Sequence, residues 1–543
     1  MMKLFFLLLS AIVVSAIKPI ADFRIPKNIA FGTSGGGSSH HLWVFEIMKE
    51  LNLRGHNVSF YSRANQLRFA NDYPMVKQKQ VGGLVDFLHH PLVLKHLTSH
   101  PETELVYSNI LHSSMIDYPQ EFLQYQNLFE TDSIDLVICD SFAVSCIDSA
   151  TVSKLPVIIT TTMGAFFDNG ARYINNQPFT RIDPSTQHES AWKRLYRNWI
   201  RYPKFMHELE KKLDYVCAFQ QKFGLRSSVD VSTAKYNDIP KIINNVFGIE
   251  IARAHSPLVH LIGPVMRNDY PSFDNATLDY LNSHHSVAYV AFGQHAVPSN
   301  SDVHMIMQTL VILLEKQMID GIIWARLNKN QLPELIKTST RRYSLRDILD
   351  HKDIYLPRWA PQFAILQHPS TSFFLSHGGV GSLHEALFNR KKLFIFPFFG
   401  DQPVNAMTID RLGVGKYMDT TNLNYNYQDY QTLYERLSML AVDPHKKIQD
   451  KLDRYSAFIQ GSAIHAVVRG ADIMEESLFA SDDNGKLSYR RDVGYDIHWM
   501  KKNDIDIYAS VVILCFIVLK TGYSVYINIM SEAKYSKLHK KML

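Results

Sequence analysis

Short apolar runs of strand length recur in two separate stretches of this chain, with helical spacing between them. The first stretch offers the expected strands Lys27–Phe31, Val58–Tyr61, Ile134–Cys139 and Pro156–Thr160. The second offers Val287–Phe292, Gly321–Trp324, Ile354–Leu356, Thr371–Leu375 and Leu393–Pro397. Apolar runs this short suit strands buried on both faces, which belong to parallel sheets covered by helices. A helical interval is clear at Leu42, Val44, Ile47, Met48 and Leu51. The pattern therefore predicts α/β architecture, and its restart predicts two sheets. At 543 residues the chain is long enough for two such cores with appendages. The boundary is expected near Ala254–Ile262, before Gly263-Pro264, giving domains 17–256 and 257–482. A last helical region, Tyr427 to Asp482, is expected to cap the second domain.

Composition is that of an ordinary globular protein, 46% hydrophobic and 20% charged, and a net charge of +5 is too small to argue for nucleic acid. Both ends are apolar. Met1-Met2-Lys3, the run Leu4–Val14 and the small residues up to Ala16 read as a secretory signal peptide, residues 1–16. Ile507 to Leu519 carries no charge, and apolar character resumes after Lys520 as far as Met530. This predicts a juxtamembrane segment 483–503, a transmembrane helix 504–530 and a tail 531–543. The uncharged run falls short of the ~20 residues of a simple span, so Lys520 must snorkel or mark a tilted boundary. Asp504 and Asp506 precede the run and Lys534, Lys537, Lys540 and Lys541 follow it. That asymmetry places the tail in the cytosol and the body in the lumen. The ending Lys540-Lys541-Met542-Leu543 resembles a dilysine retrieval signal, so the expected location is the endoplasmic reticulum membrane, single-pass type I.

Of the four cysteines, Cys515 lies in the apolar tail. Cys139, Cys146 and Cys217 allow at most one bridge. No Cys/His grouping has zinc spacing and no D-x-D presents a metal, so no metal site is expected. Two sequons occur. Asn57 opens an expected strand, which would shield it, whereas Asn275 lies in a polar, linker-like stretch that suits a glycan better. Trp192, Leu195, Tyr196 and Trp199 recur at helical spacing among Lys193, Arg194, Arg197 and Arg201. Such a helix fits either a membrane surface or a lid packed on its own domain.

The stretch from Trp359 to Gln402 carries the chemistry. Trp359 offers a flat face for a base, and Gln362 a paired donor and acceptor for a pyrimidine edge. His377, Gly378, Gly379 and Gly381 lead into an expected helix, Ser382 to Phe388, whose amides attract phosphate. Glu385, one turn inside, suits ribose hydroxyls. Asp401 and Gln402 follow an expected strand, and ligands bind outside the carboxyl ends of such strands.

The ordered set resembles the signature of the UDP-glycosyltransferase family, the UDP-glucuronosyl- and UDP-glucosyltransferases. The resemblance is clear from Val287 to Met418 and thin at residues 62–130 and 165–250. It implies a glycosyltransferase-B fold, two Rossmann-like domains facing a cleft, here with a C-terminal transmembrane helix. It also implies that the closing helices cross back to the first domain. By resemblance Trp359 stacks on uracil and Gln362 bonds to it. His377 and Ser382 hold the diphosphate, Glu385 the ribose, and Asp401 with Gln402 the sugar. Two positions depart from the family: Gly381 stands where many members carry Asn, and Gln294 follows Gly293 where Ser is usual. Both glycines and Gln294 are kept in the expected donor site.

Transfer needs a base for the attacking hydroxyl and stabilisation of the departing diphosphate. A Gly/Ser-rich loop, Gly32 to Ser39, is expected to present Ser39-His40-His41. In the family the catalytic His lies sixteen residues before the His of an R-G-H element, which from His56 gives His40, with His41 as runner-up. The family pairs that His with an Asp after a buried strand, here Asp140, which would orient the ring and support its cation. The implied reaction is an inverting, metal-independent transfer of glucose or glucuronic acid from a UDP-sugar to a hydroxyl of a small lipophilic acceptor. The UDP-sugar is a co-substrate and no cofactor is expected. Expected partners are the donor, the acceptor, the membrane and, as an option, a second copy of the chain. The alternative is a catalytically silent UDP-sugar-binding subunit. A nicotinamide oxidoreductase is disfavoured because no G-x-G-x-x-G with a suitably placed acid follows a strand.

Overall fold

The computed structural model describes residues 23–84, 103–163, 171, 173–175, 185–226, 235–420 and 430–542. The expected signal peptide lies outside the described residues. Two compact units are present, residues 1–488 and 489–543.

The larger unit holds two parallel sheets. The first has seven strands: β1 (Asn28–Thr33), β2 (Asn57–Ser62), β3 (Lys77–Gln80), β4 (Leu136–Asp140), β5 (Val157–Thr161), β6 (Lys241–Ile243) and β7 (Val259–Leu261). They lie in the order β3-β2-β1-β4-β5-β6-β7. In the second half come β8 (Val287–Ala291) and β9 (Gly321–Trp324), then a hairpin of β10 (Leu335–Lys337) and β11 (Arg342–Ser344). β12 (Ile354–Tyr355), β13 (Thr371–Ser376), β14 (Lys392–Ile395) and β15 (Gly415–Tyr417) follow. The second sheet runs β12-β9-β8-β13-β14-β15. The strands β4, β5, β8 and β14 are buried along their whole length, as their largely apolar sequences require, with the polar residues Asp140, Thr160, Thr161 and Lys392 at strand ends. β3 is the polar edge Lys-Gln-Lys-Gln; charged edges discourage further pairing, and its lack of an apolar run hides it from a pattern search.

Five expectations change. β7 pairs with β6, so the first sheet runs past the boundary placed at residue 256. β1 continues to Thr33 and a helix begins at Ser38, so the loop expected from Gly32 to Ser39 shrinks and His40 sits in a helical first turn. Asn57 is exposed rather than shielded, its amide donating to Asn28 Oδ1 at 3.0 Å. Asn275 is also exposed, but it opens a helix, Asn275–Asn282, instead of lying in a linker. Trp192 and Trp199 are 73% and 78% exposed, so neither is packed as a lid would be.

The closing region forms three helices, Tyr430–Val442, Lys447–Ala463 and Ala466–Ala480. The last returns to the first sheet: Ala466, Ala471 and Met474 share a core with Phe31, Val44, Ile47, Ile138 and Ile158. Glu475, almost fully buried on that helix, bonds to Arg24 (2.8 Å), Arg54 (2.5 Å) and His56 (3.3 Å). His56 of the R-G-H element is thereby a clasp for the crossing helix. The smaller unit contains one continuous helix, Ile505–Met542, with mean hydropathy 1.9 in its most apolar window, long and apolar enough to cross a membrane.

Candidate active site

Each sheet reverses its strand order at one point, between β1 and β4 in the first and between β8 and β13 in the second. The carboxyl ends of strands at such points are where open α/β sheets bind ligands. His40 follows β1, Asp140 ends β4, Gly293 and Gln294 follow β8, and His377 follows β13.

These residues meet in one cavity of about 320 Å³. His40 lines it from the first half. Gly293, Gln294, Gln362, His377, Gly379, Gly381, Ser382, Glu385, Asp401 and Gln402 line it from the second. Asp140 sits behind His40. Trp359 is not in the wall; it stands 54% exposed beside the helix that starts at Gln362. Gly378 is also behind the wall, against Ile395.

His40 Nδ1 lies 2.8 Å from Asp140 Oδ2. The other Asp140 oxygen accepts the Phe142 amide at 3.0 Å, which fixes the carboxylate's rotation. Asp140 is 1% exposed and the His40 side chain 19%, so only the ring's far edge reaches the cavity. Gly36 makes this ring position available: its φ is +109° and a Cβ there would lie 2.7 Å from the imidazole. Burial lowers the His40 pKa, but the charge and hydrogen bond of Asp140 and the charge of Asp401 outweigh it, leaving it above its ordinary 6.5. His41 points the other way. It is fully buried, its nitrogens bonded to Gly37 O (2.9 Å) and Thr33 Oγ1 (3.1 Å), its ring stacked on Phe69.

On the donor side the helix Val380–Phe388 starts at Gly379 with no side-chain cap, so its first amides are left for a ligand. Gly293 and Gly379 pack against the His377 ring, and a Cβ on either would come within 3 Å of it. Burial and the charge of His295 push the His377 pKa down to about 4, so the ring is neutral at neutral pH. Gln362 Nε2 donates to Glu385 Oε2 at 2.8 Å and lies 3.3 Å from Ser382 Oγ. Burial raises the Glu385 pKa to about 7 against the lowering effects of that bond and of Arg267. Asp401, raised by burial to about 6, accepts from Asn405 at 2.8 Å. The Gln402 carbonyl accepts the amides of Phe398 (2.8 Å) and Phe399 (3.1 Å), so it also shapes the turn it belongs to. Around Gly381 a Cβ would meet only Ser39, at 3.8 Å, from the opposite half.

Sequence reasoning missed the segment between the halves. Arg267 and Tyr270 line the cavity beside Gln362 and Glu385, and Tyr270 stacks on Phe363 at 3.7 Å. It also missed His384, which reaches Asn245 of the first half at 3.2 Å. Arg267 and Tyr270 belong to no motif, and His384 lies inside the Trp359–Gln402 stretch with nothing local to single it out; their roles arise from the approach of the two halves. The described residues contain no cluster of three or more His, Cys, Asp or Glu able to hold a metal.

Two parallel α/β halves that join their switch points in one cavity define the glycosyltransferase-B fold. The glycotransferase of kitacinnamycin shares it, with a TM-score of 0.58 at 16% identity, over 84% of this chain and 100% of that one. Residues 204–432 match the family model described as UDP-glucoronosyl and UDP-glucosyl transferase. The UDP-glycosyltransferase FPY2 of Fusarium mangiferae is 24% identical over 76% of this chain and 80% of its own. UDP-glycosyltransferase stmC of Aspergillus ustus is 24% identical over 88% and 93%. The chain is similar to UDP-glycosyltransferases over most of its length, and it is a transferase that takes a sugar from a UDP-sugar donor.

Proposed function

We propose that the protein transfers a hexosyl group, glucose or glucuronic acid, from a UDP-sugar to a hydroxyl of a small lipophilic acceptor, with inversion at the anomeric carbon. The observation that carries this reading is the 2.8 Å bond between His40 and the buried Asp140, aimed into the cavity that also holds the donor motif. Neutral His40 takes the proton as the acceptor oxygen attacks, and Asp140 supports the imidazolium that forms. Because the acceptor attacks the anomeric carbon directly as UDP leaves, the configuration inverts.

The donor assignment follows the cavity wall, with Trp359, exposed beside it, added by the resemblance. Gln362 and the exposed face of Trp359 take the base, and Glu385 takes the ribose. His377 and Ser382, with the free amides after Gly379, take the diphosphate. Asp401 and Gln402 take the sugar. Neutral donors and a helix N-terminus offset the leaving charge, so neither a metal nor a cofactor is needed. On the acceptor side Leu42, Trp43, Ile110, Phe142, Met163 and Val265 make an apolar wall, which suits a lipophilic molecule. The signal peptide, the apolar helix and the dilysine ending together favour a lumen-facing enzyme of the endoplasmic reticulum membrane.

Purified full-length protein offered UDP-glucose and UDP-glucuronate with phenol and sterol acceptors tests the proposal. A glycoside of inverted configuration is expected. UDP binding without turnover or donor hydrolysis would make the chain a silent binding subunit.

A further inference from the structure

Among the described residues there is one disulfide, Cys139–Cys146, and it lies beside the His40–Asp140 pair. Cys139 is the residue before Asp140 at the end of β4. Cys146 is the third residue of the helix Val144–Val152. Both cysteines are fully buried. The ring they close contains Asp140, whose carboxylate holds His40, and Phe142, whose amide holds that carboxylate. The Phe142 ring also packs on His40, with centroids 5.5 Å apart.

The bond touches the other partner's strand as well. Gly32 of β1 pairs with Cys139, and a Cβ on Gly32 would lie 2.5 Å from Cys146 Sγ. The Cys146 sulfur thus packs on the face of the sheet over Gly32, where the strand that leads to His40 pairs with the strand that ends in Asp140. The sheet itself holds β4 through Cys139 and Asp140, which pair with Ile159 and Thr160 of β5. Beyond Asp140 it holds only the Ser141 amide, on Thr160 O at 3.0 Å. Residues 142–145 turn away from the sheet; the Ala143 amide on Asp140 O (2.8 Å) and Ser145 Oγ on Glu121 Oε2 (2.8 Å) hold that turn by hydrogen bonds, and the disulfide adds a covalent tie to β4. Short rings restrict the unfolded chain less than long ones, so with a sequence separation of 7 the effect of this bond on global stability is modest for a disulfide. Its effect on the turn is direct.

We propose that the Cys139–Cys146 disulfide is a positioning device for the His40–Asp140 pair, an inference that rests on the catalytic reading above. It holds the turn whose Phe142 amide and ring set the Asp140 carboxylate and the His40 ring. Without it, Asp140 remains at the strand end but its carboxylate is free to rotate away from His40. The groups facing His40 are then Asp140 with a looser bond and Asp401 from the opposite half.

Full-length Cys139→Ala/Cys146→Ala tests this. Turnover is expected to fall about 10- to 100-fold, the scale of a small misplacement of a catalytic group, with KM for the UDP-sugar changed less than about threefold. The acid limb of the kcat profile is expected to move to lower pH, as in Asp140→Asn, because His40 loses part of its anionic support. In an Asp140→Asn background, removing the bond is expected to change kcat less than about threefold, since no carboxylate is left to position. Wild-type kcat with a wild-type pH profile would overturn the proposal. So would an equal loss in the Asp140→Asn background, which would mark a general structural role. A melting transition shifted by UDP reports folding. If the alanine pair fails it, Cys139→Ser/Cys146→Ser is measured instead. If both fail, the bond serves the fold and the proposal falls. Full turnover in His40→Ala would sink the catalytic reading itself, a result separate from all of these.

Discussion

His40 and His41 are adjacent in the chain and have opposite surroundings. Replacing His40 by Ala is expected to lower kcat by about 10²–10⁴, the contribution of a positioned general base, while UDP binding measured by calorimetry stays nearly unchanged. Replacing His41 by Ala is expected to act on stability, because it breaks two buried hydrogen bonds and a stacked ring. A denaturant titration should show a loss of roughly 2–4 kcal/mol. The pH dependence follows from the direction of the His40 shift. The base must be neutral, and its pKa is raised above 6.5 by Asp140 and Asp401 against the lowering effect of burial. Activity is therefore full above that raised value and declines as pH falls through it. Asp140→Asn removes the main raising charge, so the midpoint in kcat/KM should move down. Glu385 sets a second dependence. Its carboxyl, held up at about 7 by burial, accepts ribose hydroxyls best when ionised. UDP affinity should weaken as pH drops from 8 to 6, and Glu385→Gln should bind weakly with no such slope.

At the scale of elements, the helix Ala466–Ala480 does what no single half can do. It begins after the second sheet ends and buries Ala466, Ala471 and Met474 in the core of the first. Its Glu475 is nearly buried and neutralises Arg54, with Arg24 and His56 on its other oxygen. Without Glu475, Arg54 keeps Glu50 and Asp472 and Arg24 is 40% exposed, so the loss falls mainly on the buried His56 and on the hydrogen bonds themselves. Glu475→Ala should cost roughly 1–3 kcal/mol, read as a lower urea midpoint. A variant as stable as the wild type would show that the clasp is dispensable. The same cluster explains why Arg54-Gly55-His56 stands where it does: the turn after the Ser38–Leu53 helix is the landing site of the crossing helix.

At the scale of the whole molecule, the chain combines a two-sheet body with a separate helical unit. The Ile505–Met542 helix has 38 residues, and at about 1.5 Å per residue it exceeds the ~30 Å of a bilayer core. Lys540 and Lys541 lie in its last turn, so the expected cytosolic tail is helical instead of a separate segment. Lys540→Ser with Lys541→Ser should move the protein out of the endoplasmic reticulum, seen by microscopy of intact cells, without changing the activity of the purified enzyme. Unchanged location would remove the retrieval reading.

Much of this was legible in the chain. β4, β8, β9 and β13 are near-continuous apolar runs because both their faces are buried, and such runs need no tertiary knowledge to be seen. The proposed donor residues from Gln362 to Gln402 lie within one helix–strand–helix–strand stretch, so local spacing carried most of that half of the proposed site. β3, β6 and β7 escaped notice because an edge strand or a three-residue strand has no pattern of its own; neighbours create it by supplying hydrogen bonds. The count back from His56 pointed to His40 only by resemblance; the physical reason that His40 and not His41 faces the cavity lies in the structure, where a helix starting at Ser38 separates successive side chains by about 100° around its axis. Tertiary structure also decided that Cys139 pairs with Cys146 and that Arg267 and Tyr270 join the donor site. It brought Asp401 near His40 as well. These depend on distances between segments far apart in sequence, and those distances exist only once two sheets and a returning helix have packed.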